Sequence, residues 1–273
     1  MTRFLSGRVA VVTGGGRGIG AEIAAALARA GASVAIGDVD LQAAEQTVAG
    51  LPGEALALPL DVTDRPGFTA FLDEVERRLG PLDVLVNNAG IMALSRIEDE
   101  DDELTARQLA VNLHGVIHGT REAVRRMRPR GRGTIVNVAS TAGRQGVVAA
   151  ATYCATKHGV VGFTESARLE LRGSGVELMC VLPGVVRTRL ATGLPDARGL
   201  PTLEPRDVAI AVLEALRHHR FEVFVPARAG RLVRAGALMP RRLRETIARA
   251  IGTERIMVEG MAAPERAEYE KRI

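Results

Sequence analysis

The sequence predicts an α/β domain built on a doubly wound, seven-stranded parallel sheet with helices on both faces. Three observations predict it. Short apolar runs alternate with helical spacing, a glycine-rich turn joins the first run to the first helix, and small or polar residues sit where the runs end.

The first strand is Val9-Ala10-Val11-Val12, closed by Thr13-Gly14-Gly15-Gly16-Arg17-Gly18-Ile19-Gly20, after which Ile23, Ala24, Leu27 and Ala28 take up helical spacing. Glycines let the backbone approach a pyrophosphate, and the following helix N-terminus offers free N–H groups, so this is a Rossmann-type dinucleotide turn. The second strand, Ser33-Val34-Ala35-Ile36, ends at Gly37-Asp38. A carboxylate there suits adenosine ribose hydroxyls and repels a 2′-phosphate, which favours NAD; Arg17 inside the turn keeps NADP as the alternative.

Leu56-Ala57-Leu58-Pro59-Leu60 and Leu82-Asp83-Val84-Leu85-Val86 supply the third and fourth strands, with a helix over 64–79 between them. They end at Asp61-Val62 and at Asn87-Asn88-Ala89-Gly90, the carboxyl edge where an open α/β sheet holds ligands. A long helix runs to about Met127 after the acidic stretch 99–103, which is read as dipole-matched helix entry. His114 and His118 have the spacing of a zinc pair but no intervening Glu, and no metal is expected. Strands follow at Thr134–Ser140, Leu178–Leu182 (stopped by Pro183-Gly184) and Phe221–Val225.

With 273 residues and 47% hydrophobic content, the chain suits one catalytic domain over 1–226 and an extension over 227–273. A net charge of +4 and a pI near 9.6 raise the question of nucleic acid. Scattered arginines and 3% aromatic content exclude it as a partner, since base stacking needs platforms. Cys154 and Cys180 form no CxxC, a strand begins at Val9 without a preceding apolar leader, and no run of about 18 apolar residues exists. The expectation is a cytoplasmic protein with no transmembrane segment.

The chemistry centres on Tyr153-Cys154-Ala155-Thr156-Lys157. Residues four apart share a helix face, so the phenol and the ammonium can occupy one small volume. An ammonium about 4 Å away favours phenolate by about 4 kcal/mol at an effective dielectric near 20, which predicts a phenol poised near pH 7. The chain has only two tyrosines, Tyr153 and Tyr269, and two lysines, Lys157 and Lys271, so the spacing is an improbable accident.

Together Thr13-Gly14-x-x-x-Gly18-x-Gly20, Asn87-Asn88-Ala89-Gly90, Asn112, Ser140, Tyr153-x-x-x-Lys157 and Pro183-Gly184 resemble the short-chain dehydrogenase/reductase family over about residues 5–226. The glycine spacing resembles its shorter oxidoreductase branch. The resemblance implies that Tyr153 is the general acid/base, that Lys157 binds the nicotinamide ribose and lowers the phenol pKa, that Ser140 hydrogen-bonds the substrate oxygen, and that Asn112 holds a relay water. It places Gly14, Arg17, Gly18, Ile19, Gly20, Asp38, Asp61, Val62, Asn88, Ala89, Gly90 and Val111 around NAD, and Pro183, Gly184 and Thr188 at the nicotinamide. It also implies a homodimer or homotetramer formed through helices 104–127 and 153–171.

Residues expected near the substrate are Ile91, Met92, Ala93, Val147, Val148, Leu190, Leu194, Leu200 and Leu203, an apolar set that suits a hydrophobic alcohol or ketone. The implied function is NAD-dependent hydride transfer between such an alcohol and its ketone. The alternatives are an NADPH-dependent steroid or 3-oxoacyl reductase and a non-catalytic cofactor-binding regulator. Beyond Pro226 the arginines at 228, 231, 234, 241, 242, 244 and 249, with Leu243, Ile247 and Ile251 four apart, read as a basic amphipathic helix. A wall over the substrate site is the favoured role, ahead of an oligomer contact and a weak membrane-surface contact.

Overall fold

Five-residue runs such as Val9–Thr13, buried at every position, are what a parallel strand covered by helices on both sides requires. The computed structural model describes residues 3–195, 202–237 and 253–273, together with 239, 240, 242, 243 and 246. Its strands are β1 (Val9–Thr13), β2 (Ser33–Asp38), β3 (Ala55–Pro59), β4 (Leu82–Asn87), β5 (Gly133–Val138), β6 (Val176–Pro183) and β7 (Glu222–Val225). They form one parallel sheet in the order β3-β2-β1-β4-β5-β6-β7. The order reverses between β1 and β4, which opens a crevice at their carboxyl ends.

Helices α1 (Gly18–Arg29), α2 (Leu41–Ala49) and α7 (Pro205–His218) cover one face, and α3 (Arg65–Leu79), α5 (Gly115–Met127) and α6 (Ala151–Glu170) cover the other. Ile23, Leu27, Val208 and Val212 pack with Val12, Val86 and Val136 on the first side; Phe68, Phe71 and Met127 pack with Val11, Leu85 and Ile135 on the second. Beneath the site a buried polar ladder ties strands to helices. Asn87 donates to Asn137 (2.8 Å) and Thr120 (3.2 Å), and Asn137 donates to Thr164 (3.0 Å).

Two expected boundaries shift. β5 ends at Val138, and Ser140 instead starts the turn Thr141–Gly143, its Oγ accepting from Ala142 N at 3.1 Å. The hydroxyl competes for backbone N–H groups and so ends the strand. The long helix before Met127 is α4 (Asp102–Leu109), a π-turn over Ala110–His114 and then α5. His118 sits in α5 with its ring Nδ1 3.2 Å from the Val62 carbonyl oxygen.

In the extension, α8 (Ala227–Ala237) lies against β7, where Gly230 leaves room for the Phe224 ring. Of the expected amphipathic stripe, Leu243 is half exposed, while Ile247, Ile251, Arg241, Arg244 and Arg249 lie outside the described residues, as does Leu200. Two further helices, Thr253–Met261 and Pro264–Glu270, end the chain. No helix among the described residues is long and apolar enough to cross a membrane.

Glycine at 119 is what lets α5 approach β4, because a Cβ there would lie 2.2 Å from Asn87 Oδ1 and 2.8 Å from Phe68 Cζ. Gly119→Ala is expected to lose about 1–3 kcal/mol in urea unfolding. Gly162→Ala on α6, where nothing lies within 4 Å, is expected to gain up to about 1 kcal/mol in the same measurement.

Candidate active site

The crevice begins at the glycine turn. A Cβ at Gly14 would lie 2.8 Å from Ala89 Cα, and one at Gly20 would lie 2.2 Å from Gly14 O and 2.6 Å from Asn88 Nδ2. Asn88 Nδ2 donates to the Thr13 and Gly14 carbonyls at 3.0 Å each, and Thr13 Oγ1 accepts from Asn88 N and Ala89 N. Asn88 and Ala89 thus brace the turn from the exit of β4. The start of α1 carries no side-chain cap, so its first N–H groups are open to an anion. Ile19 packs onto the core below, and a Cβ at Gly18 would come within 3.2 Å of the Thr188 methyl carbon.

Asp38 ends β2 with its carboxylate at the turn, accepting from Gly16 N (2.8 Å) and Asp40 N (3.0 Å). Arg17 is paired with Asp40, and that contact holds the Asp40 carboxyl below the usual range. Nearby, Val39, Pro59, Leu60, Asp61, Asp64 and Gly67 line a cavity of about 310 Å³. Asp61 is exposed, with Oδ1 accepting from Thr63 N and Oγ1; Val62 is buried under Gly115. These residues fit a dinucleotide: a tight glycine cradle at a helix start, an acid about 20 residues on, and an apolar slot beside it.

At the centre, α6 places Tyr153 and Lys157 one above the other, both buried. Lys157 Nζ lies 5.7 Å from the Tyr153 ring centroid and donates to Val138 O at 3.1 Å. Gly90 approaches both Asn112 and Lys157, since a Cβ there would be 3.3 Å from Asn112 Oδ1 and 3.7 Å from Lys157 Nζ. Asn112, in the π-turn beside Val111, accepts from Ile91 N and donates to Ile91 O, both at 2.8 Å, and to Thr156 Oγ1 at 3.2 Å. Its side chain is committed, so a relay through it would use the main chain. Ser140 Oγ lies 3.4 Å from Pro183 O, which brings the β5 and β6 exits together, and Gly184 N donates to Val225 O, which ties in the exit of β7.

The phenol is not near neutrality, contrary to the expectation from spacing. Burial pushes the Tyr153 hydroxyl well above its ordinary range, opposed by a hydrogen bond with Ser140. Burial also pulls the Lys157 ammonium down to about 8. Desolvation moves each group toward its neutral form because neither keeps its water.

An apolar cluster packs around Tyr153. Met92, Leu94, Ala142, Ala150 and Cys154 pack with it, and Val147, Leu190, Leu194, Met257 and Met261 complete the wall. Val148 is exposed, and Leu203 lies in the sheet core, bridged to Val186; neither belongs to the cluster around Tyr153. Alternation along the chain cannot say which side of a loop faces inward. Asp40, Met257, Met261, Arg266, Tyr269 and Glu270 are close to the crevice without being anticipated as site residues. Tyr269 was conspicuous as the second tyrosine, but Arg266 and Glu270 look in sequence like an exposed i,i+4 pair.

Fold and site together define a dinucleotide-binding α/β domain with a buried tyrosine–lysine pair at its crevice. A profile described as short chain dehydrogenase matches residues 8–199, and the chain belongs to that family of oxidoreductases. It is 41% identical over 196 residues to a 3-alpha-(or 20-beta)-hydroxysteroid dehydrogenase of Mycobacterium bovis, covering 72% of this chain and 75% of that one. It is also 41% identical over 183 residues to a sorbitol dehydrogenase of Cereibacter sphaeroides, covering 67% and 72%. The crystal structure of a short chain dehydrogenase/reductase from Burkholderia phymatum in complex with NAD superposes with a TM-score of 0.77 at 30% identity, covering 86% of this chain and 94% of that one.

A lysine whose pKa falls on folding binds fewer protons than the unfolded chain between its two pKa values, so stability rises with pH across that interval. For Lys157 the interval runs from about 8 to the ordinary lysine value of about 10.4. Lys157→Met is therefore expected to exceed the wild type by about 2 kcal/mol in urea unfolding at pH 7, after allowance for the Val138 carbonyl it strands. That advantage is expected to shrink as pH rises through the interval.

Proposed function

We propose that the protein is an NAD-dependent oxidoreductase that interconverts an apolar secondary alcohol and its ketone, with Tyr153 as general acid and base. The observation that carries this reading is a buried phenol one helical turn from a buried lysine, packed in an apolar cluster at the carboxyl edge of the sheet. The nicotinamide would supply or accept the hydride. Residues 14–20 would hold the pyrophosphate, Asp38 the adenosine ribose, and the slot beside Val39 and Asp61 the adenine. Gly90, Val111, Pro183, Gly184 and Thr188 would surround the nicotinamide end, with Lys157 on its ribose.

At neutral pH the phenol holds its proton. It is ready to donate that proton to a ketone oxygen while the Ser140 hydroxyl supplies a second hydrogen bond to the same atom. In the oxidative direction Tyr153 would first ionise, and the Lys157 ammonium favours the phenolate.

Asp38 and Asp40 set two carboxylates beside the glycine turn, which would repel a 2′-phosphate, and Arg17 is already paired with Asp40. The NAD-bound relative agrees with this. Arg17 is also the observation that favours the second reading, an NADPH-dependent carbonyl reductase. The apolar side chains of Met92, Leu94, Val147, Leu190 and Leu194 around Tyr153 would suit a hydrocarbon ring or chain better than a polyol. In that respect the hydroxysteroid dehydrogenase is a closer guide than the sorbitol enzyme. Self-association through α4, α5 and α6 as a dimer or tetramer belongs to the same reading, with Leu169 exposed on α6.

The test is turnover with a panel of cyclic, steroid and acyl ketones and alcohols. NADH is expected to outperform NADPH at least tenfold in kcat/KM, and a reversal would refute the assignment of Asp38 and Asp40. Tyr153→Phe is expected to lower kcat by about 100-fold or more without loss of NADH binding.

A further inference from the structure

Arg266 is among the largest fully buried side chains, at 1% exposure. An arginine so placed cannot shed its charge and is tolerated only where its donors are met. Its Nε donates to Glu270 Oε1 at 2.8 Å, its Nη1 to the Leu190 carbonyl at 2.8 Å and its Nη2 to the Met92 carbonyl. The guanidinium also lies 4.8 Å from the Tyr269 ring centroid. The same short helix returns acceptors to the loop after β4: Tyr269 Oη accepts from Met92 N at 3.4 Å, and Glu270 Oε1 accepts from Leu94 N at 2.9 Å.

Met92 follows β4 and Leu190 follows β6, so one guanidinium joins loops from two strands of the sheet. Both loops contribute to the wall packed with Tyr153. The fit between extension and loop leaves no space for an extra carbon. A Cβ at Gly260 would lie 2.5 Å from Leu194 Cδ2, and one at Gly193 would lie 2.9 Å from Ala263 Cβ.

We propose that Arg266, with Glu270 as its counter-ion, is a positioning residue that clasps the 92–94 and 190–194 loops to the C-terminal helix and so sets the shape of the apolar wall beside Tyr153, where the substrate would lie. This rests on the oxidoreductase reading of that wall. The guanidinium is buried and turned to Glu270 and two carbonyls, with its charge countered by Glu270. The specificity it supports is for neutral, apolar carbonyl compounds.

The test uses the full-length chain as wild type, Arg266→Lys, Arg266→Met, Glu270→Ala and Gly260→Val. Hydrogen exchange reads the clasp without reference to turnover. The amides of Met92 and Leu94 are expected to exchange at least tenfold faster in Arg266→Met, Glu270→Ala and Gly260→Val, with partial recovery in Arg266→Lys and no change over residues 9–13. With an apolar ketone that the wild type reduces, KM is expected to rise at least tenfold, kcat to change less, and the Kd for NADH to stay constant. Unchanged exchange at 92 and 94 would overturn the proposal. So would faster exchange throughout the sheet together with weaker NADH binding, which would mark a general stabilising role. Failure of the wild type to turn over any ketone would refute the oxidoreductase reading and leave the exchange result to decide the clasp.

Discussion

Desolvation of two ionisable side chains one helical turn apart is the constraint around which the domain is arranged. Tyr153 and Lys157 lose their water together, and each is moved toward its neutral form. A buried ammonium needs fixed acceptors, and here the Val138 carbonyl at the end of β5 is one. Ser140, two residues further on, opposes the upward shift of the phenol. The exit of β5 therefore serves both members of the pair.

Such precision requires the strand ends to be held in register. The Asn87–Asn137–Thr164 ladder fixes β4 and β5 against α6, and Asn112 fixes the next loop by bonding both backbone groups of Ile91. On the cofactor side, Thr13 and Asn88 lock the glycine turn to the β4 exit. The remaining side is built from the loops after β4 and β6, whose irregular backbone has no sheet to satisfy it. There the C-terminal helix supplies the missing donors and acceptors.

Much of this was legible in the sequence because it rests on local pattern. Seven apolar runs became seven strands, since short apolar stretches alternating with helical spacing have few other outcomes. The Tyr153/Lys157 juxtaposition followed from helical period alone. The sign of the Tyr153 shift did not, because spacing reports distance and says nothing about dielectric. A pair in water and a pair in a core have the same spacing and opposite behaviour. Likewise Leu203 and Leu194 look equivalent in sequence, yet one packs under the sheet and the other against the cluster around Tyr153. Arg266 was invisible for a related reason: its role depends on carbonyls at 92 and 190, far from it along the chain.

With only Tyr153 and Tyr269 and no tryptophan, the phenol can be titrated directly by ultraviolet absorbance in a Tyr269→Phe variant. If burial governs the pair, tyrosinate will not form until the pH passes the ordinary tyrosine value of about 10. Substituting Lys157 with methionine in that variant would then leave the onset above that value. Tyrosinate appearing near pH 7 and abolished by Lys157→Met would contradict this and restore attraction to the ammonium as the dominant effect.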